Sequence, residues 1–127
     1  KVARIADFIP ELEVSGPDRG ELLVMGWGGT YGSIRAAVER LQSEGRSVAF
    51  AHLRYLNPLP KNVGDILGRF RQILVPEQNL GQLSFLLQAI FAVPVIRLSK
   101  VQGQPFRISE VEEKIRSILA SDGDGNV

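Results

Sequence analysis

Residues 22–32 read LLVMGWGGTYG, a compact apolar run that gives way at once to glycines. A strand with no polar alternation is one covered on both faces, as in a parallel sheet with helices above and below. The same change recurs in VAFAHLRYLNPLP (48–60), ILVPEQNLGQ (73–82) and VIRLSKVQGQP (95–105), each time with a polar sequel rich in glycine, proline or amides. Parallel strands place their carboxyl ends along one edge, where open α/β folds bind ligands and partners. Those four polar stretches are therefore expected on one rim, and that rim is the expected functional surface.

The strands are predicted at 21–25, 48–53, 72–75 and 94–98, with helical patterns between them. Residues 33–44 repeat Ile34, Val38 and Leu41 at steps of three and four, hold Arg35 and Glu39 a turn apart on the wet side, and meet Gly45 as a stop. After Pro58 and Pro60, Asn62 is expected to cap a short helix through Leu67, with Asp65 near its positive end and Gly68 closing it. Asn79 with Gln82, and Ser109 with Glu112 ahead of Val111, Ile115, Ile118 and Leu119, have the form of capping boxes. Strand and helix alternating at this spacing give right-handed crossovers and a three-layer α/β/α fold with a mostly parallel sheet.

One helix departs from the amphipathic pattern. Leu83, Phe85, Leu86, Leu87, Ala89, Ile90 and Phe91 leave only Ser84 and Gln88 as polar positions, so the helix is expected either to lie deep in the domain or to meet another domain or subunit, with the interface favoured. The chain is read as an opening segment (1–20) with an edge strand near residues 12–14, one α/β domain (21–120), and an unstructured tail (121–127). The tail's Asp-Gly-Asp-Gly-Asn lacks the later glutamate of a calcium loop.

Composition narrows the function. Of 127 residues, 44% are hydrophobic and 23% charged, the balance of an ordinary globular protein. The 15 basic residues are interspersed with 14 acidic ones for a net charge of +1, which argues against a nucleic-acid partner. There is no cysteine, so disulfides, thiolate metal sites and iron–sulfur ligation by this chain are out, and a cytoplasmic location is the expectation. The longest apolar stretch, 85–96, is interrupted by Gln88 and Pro94 and falls short of the ~20 residues of a bilayer span. The amino end shows neither a starting methionine nor a signal-type apolar region, and the chain is expected to be a piece of a longer one.

Gly26, Gly28, Gly29 and Gly32 invite a dinucleotide reading, but Tyr31 stands where that fingerprint needs glycine, and His52 and Arg54 occupy the region of the acidic ribose ligand. A tight strand-to-helix turn is favoured over an anion cradle at Gly28, Gly29, Thr30 and Tyr31. His52 is the only histidine, with no nucleophile motif to partner it, and reads as a packing residue. Arg54, Tyr55 and Asn57 suit either an anion or a neighbouring protein chain. Glu77 precedes a helix start that includes Asn79 and Gln82, where a carboxylate is stabilised by the helix dipole, and local capping accounts for it. Gln102 and Gln104, beside Lys100, suit docking or a solvated loop equally. No catalytic or metal-binding residue is assigned.

Taken as a set, GWGGTYGSI, HLRYLNPLPKN, VPEQNLGQL and KVQGQPF, in this order at consecutive strand ends, resemble the C-terminal part of the α subunit of 2-oxoacid:ferredoxin oxidoreductases, with the 2-oxoglutarate enzymes nearest. The likeness runs from Lys1 to about Leu119, and LRYLNPLP with VPEQNLGQL also resembles the broader transketolase C-terminal module. It implies a five-stranded sheet whose first strand runs against the other four. It also implies a parent enzyme that uses thiamine diphosphate, magnesium, iron–sulfur clusters and coenzyme A to convert a 2-oxoacid to an acyl-CoA, passing electrons to ferredoxin. In that family the module is implied to serve assembly with the rest of the α subunit and with the β subunit; alone it is expected to bind no cofactor and to be inactive, and homo-oligomer formation is allowed. Two alternatives stand: the equivalent domain of another thiamine enzyme, such as a 2-oxoacid dehydrogenase β chain, or a free-standing anion-binding regulatory domain.

Overall fold

The computed structural model describes residues 11–27, 31–53, 60–78, 82–100 and 106–125. In chain order the elements are β1 (Val14–Ser15), β2 (Gly20–Trp27), α1 (Tyr31–Ser43), β3 (Val48–Leu53), α2 (Val63–Leu67), β4 (Phe70–Gln78), α3 (Gln82–Phe91), β5 (Ile96–Lys100) and α4 (Ile108–Gly125). The strands form one sheet in the order β1-β3-β2-β4-β5. β1 pairs antiparallel with β3, while β2, β3, β4 and β5 are mutually parallel, as expected.

Successive strand residues point to opposite faces, and the core divides accordingly. Leu23, Met25, Ala49, Ala51, Ile73 and Val75 pack with Val63 and Ile66 of α2 and Leu83 and Leu87 of α3. Leu22, Val24, Val48, Phe50 and Leu74 pack with Ile34, Val38 and Leu41 of α1 and Val111, Ile115 and Ile118 of α4. The sheet is thus covered on both sides, which is why its central strands read as unbroken apolar runs.

Several local expectations are corrected. Asn62 makes no side-chain cap to α2. Its amide instead grips the backbone of Leu12, with Oδ1 accepting from Leu12 N at 2.8 Å and Nδ2 donating to Leu12 O at 2.9 Å. Gln42 Nε2 donates to Ser15 O and Val48 O, so side-chain amides help to hold a β1 of only two residues to the sheet edge. At α4 the reciprocal contact lies two residues earlier than expected: Glu110 Oε1 accepts from Arg107 N at 2.8 Å, and Glu112 faces Arg40. Pro94 falls in the connection before β5, where its missing N–H removes no ladder bond. The α4 backbone continues through Gly125, into the stretch read as a tail.

Candidate functional site

All four parallel strands end on one edge. Trp27 at the end of β2 lies opposite Leu53 at the end of β3, and Gln78 at the end of β4 lies opposite Lys100 at the end of β5. Between β2 and β4, however, the ladder stops at Val24 and Leu74, short of both strand ends. The last paired residues, Val24 and Leu74, are followed closely by Pro76, which has no N–H to offer a ladder. The strand order also reverses here, since the chain leaves β2 for β3 on one side and reaches β4 on the other. This is the switch-point crevice at which open α/β sheets receive ligands.

Side chains from β2 and β4 meet at it. Glu77, only 5% exposed, accepts from Leu83 N at 2.7 Å and from Trp27 Nε1 at 3.4 Å through Oε1. Its Oε2 accepts from Ser84 N at 2.9 Å and from Ser84 Oγ at 2.7 Å. Leu83 and Ser84 are the second and third residues of α3, whose amides an N-cap normally satisfies. Glu77 does that from the preceding strand, with its charge at the positive end of the helix. Capping was legible for Glu77, whereas Trp27 and the Ser84 hydroxyl were not anticipated as its partners.

A carboxylate offers about four acceptor positions, and here four donors converge on them. Acting as a base or metal ligand would require breaking bonds that hold α3 in place. Glu77 is therefore a clamp between β4, the end of β2 and the start of α3. Among the described residues no group of three or more His, Cys, Asp or Glu side chains could hold a metal ion. A cysteine-free chain has no thiolate for an iron–sulfur cluster.

The remaining candidates are placed as follows. His52 is partly exposed on the α1/α4 side of β3, with its ring centroid 6.2 Å from that of Phe50 at an interplanar angle of 47°. Tyr31 opens α1 and Gln82 opens α3. Gly28, Gly29, Thr30, Arg54, Tyr55, Asn57, Asn79, Gln102 and Gln104 lie outside the described residues. Their stretches follow strand ends that share one edge, and His52 and Glu77 sit within those ends.

A five-stranded sheet with one reversed edge strand, helices on both faces and a switch point closed by its own side chains defines an α/β module of the transketolase C-terminal kind. Residues 20–113 match pyruvate:ferredoxin oxidoreductase core domain II, and the chain belongs to that family. It is 45% identical over 113 residues to the 2-oxoglutarate oxidoreductase subunit KorA of Mycobacterium tuberculosis, covering 88% of this chain and 17% of that protein. Among solved structures, it is similar to the 2-oxoglutarate:ferredoxin oxidoreductase of Magnetococcus marinus with 2-oxoglutarate, coenzyme A and succinyl-CoA bound (TM-score 0.85, 27% identity, 91% of this chain and 21% of that one). A split-gene transketolase described as an inactive β4 tetramer shares the fold at a TM-score of 0.61 and 13% identity, over 79% of this chain and 38% of its own. The chain thus spans about a fifth of the length of these two oxidoreductase relatives. No helix among the described residues is long and apolar enough to cross a membrane.

Proposed function

We propose that this chain is a noncatalytic assembly domain of the α subunit of a 2-oxoacid:ferredoxin oxidoreductase, nearest to the 2-oxoglutarate enzymes. The parent complex would oxidatively decarboxylate its 2-oxoacid on thiamine diphosphate with magnesium, send electrons through iron–sulfur clusters to ferredoxin, and release an acyl-CoA. Family membership over residues 20–113, together with α-subunit relatives, supports the parent identity. The observation that carries the noncatalytic role is the full engagement of Glu77, the buried carboxylate at the switch point, in holding the fold. The other thiamine enzymes have only the shared fold in their favour.

On this reading the polar stretches beyond Trp27, Leu53, Gln78 and Lys100 face the rest of the α subunit and the β subunit. The test is Arg54→Ala in the full-length subunit. Assembly with the β subunit, or turnover of the assembled enzyme, is expected to weaken while the unfolding midpoint of this domain stays put. Unchanged assembly and turnover would remove Arg54 from the interface, and 2-oxoacid-dependent ferredoxin reduction by the 127-residue chain alone would overturn the noncatalytic role.

A further inference from the structure

The outer face of α3 is finished differently from every other exposed helix face described. None of its ten residues is charged. Its inner side, Leu83 and Leu87, is fully buried, yet Phe85 on the outer side is 72% exposed and Ile90 is 55% exposed. Ala89 and Gln88 are exposed between them, and Gln88 Nε2 turns back to donate to Ser84 O at 3.2 Å, so even its amide is engaged by the helix itself. The helix is held at both ends. Glu77 clamps its start, and at its finish Phe91 lies so close to α2 that a Cβ at Gly64 would come within 2.9 Å of the Phe91 ring.

The size of this face limits what can cover it. At roughly 200 Å² for a whole aromatic residue, Phe85 exposes about 140 Å² and Ile90 about 100 Å². With Ala89 and the partly covered Leu86 the face comes to roughly 300 Å², well under the ~800 Å² per partner of a stable association between separate molecules. A small uncharged face is sufficient when its counterpart is tethered, because tethering supplies an effective concentration in the millimolar range without further contact area. The Mycobacterium and Magnetococcus relatives have such a counterpart to offer, since this chain accounts for only 17% and 21% of their lengths.

We infer that the outer face of α3, centred on Phe85 and Ile90, packs against an apolar surface of another domain of the same polypeptide, not against the β subunit or a second copy of this chain. This rests on the proposed α-subunit reading. It separates two surfaces of the domain: the carboxyl rim, which faces the rest of the α subunit and the β subunit, and the outer face of α3, which makes contact within the α subunit alone.

The experiment is hydroxyl-radical footprinting, read by mass spectrometry at Phe85 and Ile90. It compares the 127-residue chain, the full-length α subunit alone, and the α subunit with its β subunit, with turnover measured on the last sample. Labelling at both residues is expected to be at least fivefold slower in the α subunit alone than in the 127-residue chain, at every concentration, with no further change when the β subunit is added. Equal labelling in chain and subunit would overturn the inference, as would protection that appears only with the β subunit. Protection that grows with concentration of the 127-residue chain would make a second copy the occupant and overturn it too. Active enzyme with an unprotected Phe85 would sink this inference alone; an assembled sample without 2-oxoacid turnover would strike at the parent identity instead.

Discussion

The two helical layers bury comparable inner faces and present opposite outer ones. Beneath α1 and α4, Ile34, Val38, Leu41, Val111 and Ile115 are no more than 1% exposed; beneath α3, Leu83 and Leu87 are fully buried. Outside, α1 and α4 are joined by a run of charges in which Arg40 meets Glu112 at 3.3 Å, Arg116 meets Glu44 at 2.7 Å, and Arg116 meets Glu112 at 3.7 Å. The outside of α3 offers Phe85 and Ile90. The inner faces explain why the chain folds, and the outer faces distinguish a layer finished for water from one finished for a neighbour.

The largest effect in this comparison is expected at the clamp that holds α3. Glu77→Ala leaves two buried amides and the Ser84 hydroxyl without their acceptor, and should cost about 3 kcal/mol in urea unfolding. Glu77→Gln, which keeps one acceptor oxygen, should cost less. An alanine variant within about 0.5 kcal/mol of wild type would mean that α3 is held by its apolar face alone.

Next in size is the other end of the same helix. In Gly64→Ala the new methyl group meets the Phe91 ring, and repacking should cost about 1–2 kcal/mol. Ala92, at φ 55, ends α3 in the left-handed region, with its N–H donating to Gln88 O at 3.0 Å. Ala92→Gly should therefore raise stability by about 1 kcal/mol, seen as a higher thermal midpoint. No rise would show that the strain is relieved by another route.

The smallest effect belongs to the charged layer. The hydrogen bond from Arg116 holds the Glu44 carboxyl below its ordinary value, and the same bond raises the Arg116 guanidinium. A depressed folded-state pKa means a contribution present above the unfolded value of 4.5 and lost as pH falls through the folded value. Glu44→Gln should remove a small contribution at neutral pH and none at pH 3, flattening the acid limb of the stability curve slightly, because exposed pairs contribute little. A larger loss at pH 3 than at neutral pH would contradict that sign.

Where local pattern and tertiary role coincide, the sequence was readable. Val48–Ala51 is apolar throughout because helices cover both faces of β3, and α1 follows the spacing of Ile34, Val38 and Leu41. Asn62 misleads because one amide serves equally well as a helix cap or as a grip on a backbone 50 residues away. The Trp27–Glu77 contact was not legible either, since it also spans 50 positions and no local signal records where a ladder stops. The lack of charge along α3 was legible, but which of its faces stays uncovered depends on how α3 is rotated over the sheet, and sequence periodicity cannot supply that when every side is apolar.

The most direct test of the contrast between the layers is Phe85→Ser, measured in the 127-residue chain and again in the assembled enzyme. In the chain, where Phe85 is already exposed, unfolding free energy should change by less than about 0.5 kcal/mol. In the assembled enzyme, where the ring would be covered, the loss should be on the order of 2 kcal/mol and appear as a lower thermal midpoint. Equal small changes in both would mean that Phe85 faces water throughout, and that the two layers differ in composition but not in role.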